Sequence, residues 1–251
     1  MKSSLTSITF RQKSLEEIVA LAKKAELSAI EWGGDVHVAP GDQESAKKAL
    51  ALCRENGLDI SGYGTYFYAT DTEDFAPVLE NALILETPII RVWAGKGFGP
   101  SENYPSDARK KFTEKLANAA FMAKERGLTV ATEFHSSSLT DNISSAMQLF
   151  SDAPDLKSYW QPRTHPKQTI EENLSDIATL GDKLINVHTF HWLDGGIRRP
   201  LSEASDEWLR YFRAVKEHGN AGYAAIEFVM DNTDEQLCAD AETLNALLSQ
   251  I

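Results

Sequence analysis

A short run rich in β-branched and small apolar residues, then a loop, then a helix-like stretch: this unit recurs along the whole chain and constrains its fold more than any other feature. The runs begin near Leu5, Ser28, Leu58, Ile89, Thr129, Leu156, Ile185 and Tyr223, at separations of 23 to 40 residues. That spacing leaves room for one helix and two loops per unit. The intervening stretches carry apolar residues at helical spacing. In KKFTEKLANAAFMAKERG, Phe112, Leu116, Ala119, Ala120 and Ala123 fall on one face. Gly57, Gly127, Gly181 and Gly219 stand where helices should stop, and Ser14 and Asp71 stand where helices should start. Eight such units without a linker or composition break predict one α/β domain spanning 1–251, a single (β/α)8 barrel with its active site at the C-terminal strand ends. A doubly wound open sheet competes, but it usually has a glycine-rich first turn, and here that turn reads TFRQKS.

The strand ends are where chemistry concentrates. Glu133, His188 and Glu227 close the runs TVATEF, INVHTF and YAAIEF. A carboxylate in an apolar strand end is costly unless it is paired or bound to a cation. Two such glutamates and an imidazole at matching depth point to a divalent ion and to proton transfer, with Glu133 and Glu227 as the catalytic pair. Each of the three also has a bland reading, as a salt-bridged or hydrogen-bonded strand residue. Glu31 and Asp35 remain ambiguous, with one of them expected as a partner to an imidazole. Trp32, His37, Trp93, Trp160 and Trp192 are expected to ring the mouth as an aromatic wall that excludes water. His165 lies close behind. GKGFG, 95–99, lacks the context of a phosphate loop and reads as a loop over the site.

Bulk properties exclude several classes. The net charge is −12, which repels a nucleic-acid backbone in the absence of a basic run, so neither nucleic acid nor membrane is expected as a partner. No apolar run approaches the roughly 18 residues of a membrane span. The N-terminus has no apolar h-region and the two cysteines, Cys53 and Cys238, lack metal-type spacing. A cytoplasmic chain with a small-molecule partner is the expectation, with homo-oligomerisation left open. Arg91, Arg163, Arg198 and Arg199 follow predicted strands and offer sites for an anionic group.

The ordered segments TEFH, WQP, NVH and IEF, together with IEWGGDVHV and RRPL, resemble the xylose-isomerase-like TIM-barrel superfamily of sugar (phosphate) isomerases and epimerases. The resemblance covers essentially the whole chain. It implies a metal-dependent isomerase or epimerase acting through an enediolate, with Mn, Mg, Co or Zn held at Glu133, Gln161, His188 and Glu227. It also implies substrate contacts by His135, His191 and Arg198 on a sugar or sugar derivative, in addition to the aromatic Trp32 and Trp93 and the nearby His37. The family's second ligand is an Asp, whereas this chain has Gln161, which removes one negative charge from the ligand set. Dehydratases of inosose or dehydroshikimate type share the fold and form the runner-up reading. A catalytically idle sugar-binding barrel is a third, and phosphodiester cleavage is disfavoured by the acidic balance.

Overall fold

The computed structural model describes residues 1–163 and 167–251; His165 lies outside the described residues. Among the described residues, eight parallel strands close into a barrel in sequence order. They are β1 (Lys2–Thr6), β2 (Ala29–Gly33), β3 (Asp59–Gly64), β4 (Ile89–Val92), β5 (Thr129–Glu133), β6 (Lys157–Trp160), β7 (Leu184–Thr189) and β10 (Tyr223–Ile226). A short antiparallel hairpin, β8 (Trp192–Leu193) with β9 (Ile197–Arg198), is inserted between β7 and β10. The ring of helices comprises α1 (Leu15–Lys24), α2 (Gln43–Glu55), α3 (Ala76–Ile84), α4 (Ser106–Lys124), α5 (Ile143–Asp152), α6 (Ile170–Leu180), α7 (Ser205–His218) and α8 (Asp234–Leu248). No described helix is long and apolar enough to cross a membrane.

Seven of the eight barrel strands begin within one residue of the position expected from the sequence. β1 begins earlier, at Lys2, because its backbone amide reaches the carbonyl of Gly222 and the strand pairs with β10 from its first residue. Closure therefore depends on the two chain ends meeting, which no local pattern encodes. Ser14 opens α1 with a capping box to Glu17. Asp71 caps nothing: α3 starts only at Ala76, and the neighbouring Glu73 carboxylate instead gathers the amides of Tyr68 and Thr70. Gly57, Gly127 and Gly181 adopt positive φ after their helices, as expected, whereas Gly219 is extended at φ −109°. There the constraint is space, since a Cβ would stand 3.1 Å from the Val215 carbonyl oxygen. Cys53 is buried and Cys238 half-buried, and both are free thiols.

The core has two zones. Apolar side chains that point outward from the strands pack against the helices and form one continuous cluster. The barrel interior is more polar. Ser4 and Ser61 share a hydrogen bond of 2.7 Å, and Asn186 donates to the Tyr159 hydroxyl at 2.9 Å and to the Ser61 carbonyl at 3.2 Å. These satisfied polar groups form the floor beneath the strand ends.

Candidate active site

Alternation along each strand decides what enters the barrel. Glu31 of β2, Arg91 of β4, Glu133 of β5 and His188 of β7 all turn inward, and each is at most 4% exposed. Glu227, directly after β10, joins them at 5% exposure. Gln161, directly after β6, reaches in from the neighbouring strand end.

His188 is the centre. Its Nδ1 lies 3.5 Å from Glu133 Oε1, 3.5 Å from Glu227 Oε2 and 3.3 Å from Gln161 Oε1. Donor atoms of Glu133, His188 and Glu227 all fall within 4.8 Å of one another. An ion with bonds of about 2.0–2.3 Å holds neighbouring ligands roughly 3.0–3.6 Å apart, so the spacing and the N/O donor set fit one divalent cation. The structure brings together all four residues named as ligands. On the far side of the imidazole, Nε2 faces Glu31 Oε1 at 3.5 Å. Of Glu31 and Asp35, Glu31 is thus the one that faces the imidazole, as a charge neighbour and not as a hydrogen-bond partner. Asp35 is elsewhere, paired with Arg11.

Arg91 has a different place from the one expected. It does not wait for an anionic ligand: its Nε donates to Glu31 Oε1 at 3.0 Å and its Nη1 donates to Glu133 Oε2. Two glycines of β3 make the space. A Cβ on Gly64 would stand 2.5 Å from Arg91 Nη2, and a Cβ on Gly62 would stand 2.4 Å from the Tyr159 hydroxyl. The cluster thus contains three carboxylates and one guanidinium, net −2 with a neutral imidazole.

Electrostatics separate the two catalytic candidates. Burial alone would raise the Glu133 carboxyl, but the Arg91 guanidinium and the His188 ring hold it well below the usual carboxylate range. Glu227 is pushed up, by burial and by the neighbouring Glu133 charge, against the pull of His188. Burial would lower His188, yet the charges of Glu227 and Glu31 raise it to about 10.

Above the cluster is a cavity of about 250 Å³. Glu133, Glu227, Gln161 and Arg91 form its base, and Trp93, His135, Phe134 and Tyr66 line one wall. Phe190, Trp192 and Phe228 line the other. The His135 and Trp93 rings stand 4.4 Å apart, and His135 Nδ1 lies 2.8 Å from the Ser136 carbonyl oxygen.

Several expected contacts lie elsewhere. Trp32 does not reach the mouth; it is fully buried beside α2, because its neighbour Glu31 takes the inward face and strand alternation sends Trp32 outward. Trp160 is outward for the same reason and packs against Trp208 and Tyr211. His37 is buried and held between the Ser7 hydroxyl at 2.9 Å and the Lys13 carbonyl at 3.1 Å, clear of the cavity. His191 lines a smaller adjoining cleft with Glu207 and Trp208 rather than the main cavity. Arg198 sits behind the wall, 4.8 Å from the Phe228 ring, with Nη1 donating to Asn232 at 2.6 Å. The GKGFG side chains do not line the cavity; Lys96 lies over the Tyr68 ring. Arg91 was visible in the sequence as a charge inside the apolar run IIRV, but its partners come from other strands.

A family model described as a xylose isomerase-like TIM barrel matches residues 19–247. Among solved structures, the chain is similar to the probable 3-DHS dehydratase AsbF of Bacillus anthracis, with 19% identity, TM-score 0.79 and coverage of 98% of this chain and 99% of that one. It is similar to D-allulose 3-epimerase from Methylomonas sp., with 12% identity, TM-score 0.73 and coverage of 100% and 98%. It is also similar to a xylose isomerase-like TIM-barrel protein from Mycobacterium smegmatis in complex with magnesium, with 11% identity, TM-score 0.70 and coverage of 99% and 97%. At these identities the likeness concerns the fold. No curated protein sequence matches the chain.

Proposed function

Because the chain belongs to the xylose isomerase-like TIM-barrel family, we propose that it is a metal-dependent isomerase or epimerase that moves a proton on the carbon next to a carbonyl of a sugar or sugar derivative. The observation that carries this reading is the convergence of Glu133, Gln161 and Glu227 on Nδ1 of His188 at 3.3–3.5 Å. These four residues would hold the ion. When bound, a divalent cation supplies Lewis acidity, stabilising the negative charge that develops on a carbonyl oxygen.

The chain's own groups account for the rest. Glu133 and Glu227 reach the cavity base from β5 and from the end of β10, so they approach a substrate from different sides. One carboxylate accepts the proton at an oxygen, and one delivers a proton back. Return to the same carbon gives epimerisation, and return to its neighbour gives aldose–ketose isomerisation. Trp93 and His135 present an apolar face and a ring nitrogen at the wall, suited to a sugar's C–H face and hydroxyls. Burial of the cluster keeps water from competing for the proton.

A second reading, elimination of water, draws on one feature of the site. Glu133 Oε2 is engaged by Arg91, so the two carboxylates are not equivalent, and a dehydratase needs only one carbon base. The probable dehydratase among the similar structures supports keeping this reading.

One experiment tests the proposal and separates the two readings. The purified protein is assayed for bound metal, then incubated in D2O with ketoses, ketose phosphates and inososes. Deuterium incorporation into a substrate or an isomeric product supports the first reading. Loss of water with a new enone absorbance supports the second. Absence of exchange across the panel with metal present would count against both.

A further inference from the structure

Arg91 is a cation at the base of the cavity, near the C-terminal end of β4, and proton transfer does not call for it. Its side chain is 2% exposed, and two of its nitrogens face carboxylates on different strands: Glu31 on β2 and Glu133 on β5. Glu31 in turn faces His188 Nε2 at 3.5 Å. Four strands are joined through this chain of charges. The backbone leaves a space for the guanidinium at Gly64, where any Cβ would meet both Arg91 Nη2 at 2.5 Å and Glu31 Oε1 at 2.7 Å.

We propose that Arg91 is a positioning residue acting as a permanent internal cation: it compensates the buried carboxylates and fixes Glu133 with Oε1 toward His188, before any divalent ion binds. The inference rests on the metal reading above for its second half only. Without Arg91 the cluster of Glu31, Glu133 and Glu227 would hold three buried negative charges and no fixed positive one, an arrangement that is strongly destabilising. With Arg91 and with His188 neutral, as a ligating imidazole must be, the site stands at net −2, the charge that one divalent ion neutralises. The site is thereby assembled on folding rather than on metal binding.

The test is thermal unfolding of the full chain, stripped with EDTA and then saturated with Mn2+, for the wild type, R91M, R91K and the double variant R91M/E31Q. We expect stripped R91M to unfold on the order of 10 °C below stripped wild type. Mn2+ should restore more of that loss in R91M than it adds to the wild type, because the ion takes over the missing compensation. R91K, which keeps the charge but not the fork that joins Glu31 to Glu133, should lie between R91M and the wild type. R91M/E31Q, with one fewer buried carboxylate, should recover much of the R91M loss. A packing role alone would lower the stripped and Mn2+ values of R91M equally and leave the double variant no better; either result overturns the proposal. So does a stripped R91M within about 2 °C of the wild type, the result expected if Arg91 served only to contact an anionic substrate. Should R91M be insoluble, a folded R91M/E31Q supports the proposal and an equally insoluble one overturns it. If Mn2+ shifts no variant, wild type included, the metal reading fails, while the stripped series still judges Arg91.

Discussion

The Gln161 side-chain oxygen stands 3.3 Å from Nδ1 of His188, in the same relation to the imidazole as the two glutamates. A neutral amide thus stands beside the imidazole among buried carboxylates. Gln161→Asp should add a negative charge there and raise affinity for Mn2+ by about tenfold, and Gln161→Ala should lower it. Calorimetric titration of the stripped protein measures both. Unchanged affinity in the two variants would remove Gln161 from the ligand set.

Glu133→Gln and Glu227→Gln keep the shape of each side chain and remove its charge. We expect each to cost about 10²–10⁴-fold in kcat while far-ultraviolet circular dichroism stays unchanged. Glu227→Gln should leave the Arg91 pairing untouched, whereas Glu133→Gln weakens it and should also lower thermal stability. Near-full turnover in either variant would argue against its catalytic role.

Protons should compete with metal at His188. Burial opposes its charged form, but the Glu227 and Glu31 carboxylates lift it to about 10. A ligating nitrogen must be neutral, so metal binding at pH 7 should expel about one proton, and affinity should rise roughly tenfold per pH unit below 10. Calorimetry in buffers of different ionisation enthalpy counts that proton. For the metal-free protein the linkage has the opposite direction. A pKa raised above the unfolded value near ~6.5 contributes stability that is complete below that pH and is lost as pH rises through about 10. Denaturant midpoints of the stripped protein should therefore decline over that window; a midpoint that climbs there would refute the assignment of His188 as a charged residue.

Trp32 and Trp93, both at strand ends, should respond differently. Trp93 lines the cavity, so Trp93→Ala should raise KM with a modest effect on stability. Trp32 is fully buried among apolar side chains, so Trp32→Ala should cost about 3–5 kcal/mol of stability. Paired denaturation and kinetic measurements distinguish them, and a KM effect without destabilisation for Trp32→Ala would show that it reaches substrate after all.

Cys53 is pushed by burial to about 11. It should resist alkylation at neutral pH in the folded protein while Cys238, half-buried on α8, reacts first. Mass spectrometry after limiting iodoacetamide treatment reads the order.

The barrel was legible in the sequence because its signals are local. Period-two and period-3.6 patterns, stop glycines and helix caps such as Ser14 recur along the chain, and each depends on neighbours within a few residues. The residues Glu133, His188 and Glu227 could be singled out for the same reason: each is a polar group inside an apolar strand end. Tertiary structure alone decided how charges from different strands pair. Glu31, Arg91 and Glu133 are separated by 60 and 42 positions yet share one guanidinium, because barrel closure brings together strands that are distant in the chain. It also decided which strand-end aromatics face the cavity. Trp32 and Trp93 look alike in sequence, and only the inward turn of Glu31 sends Trp32 to the helix layer, since successive side chains of a strand must take opposite faces.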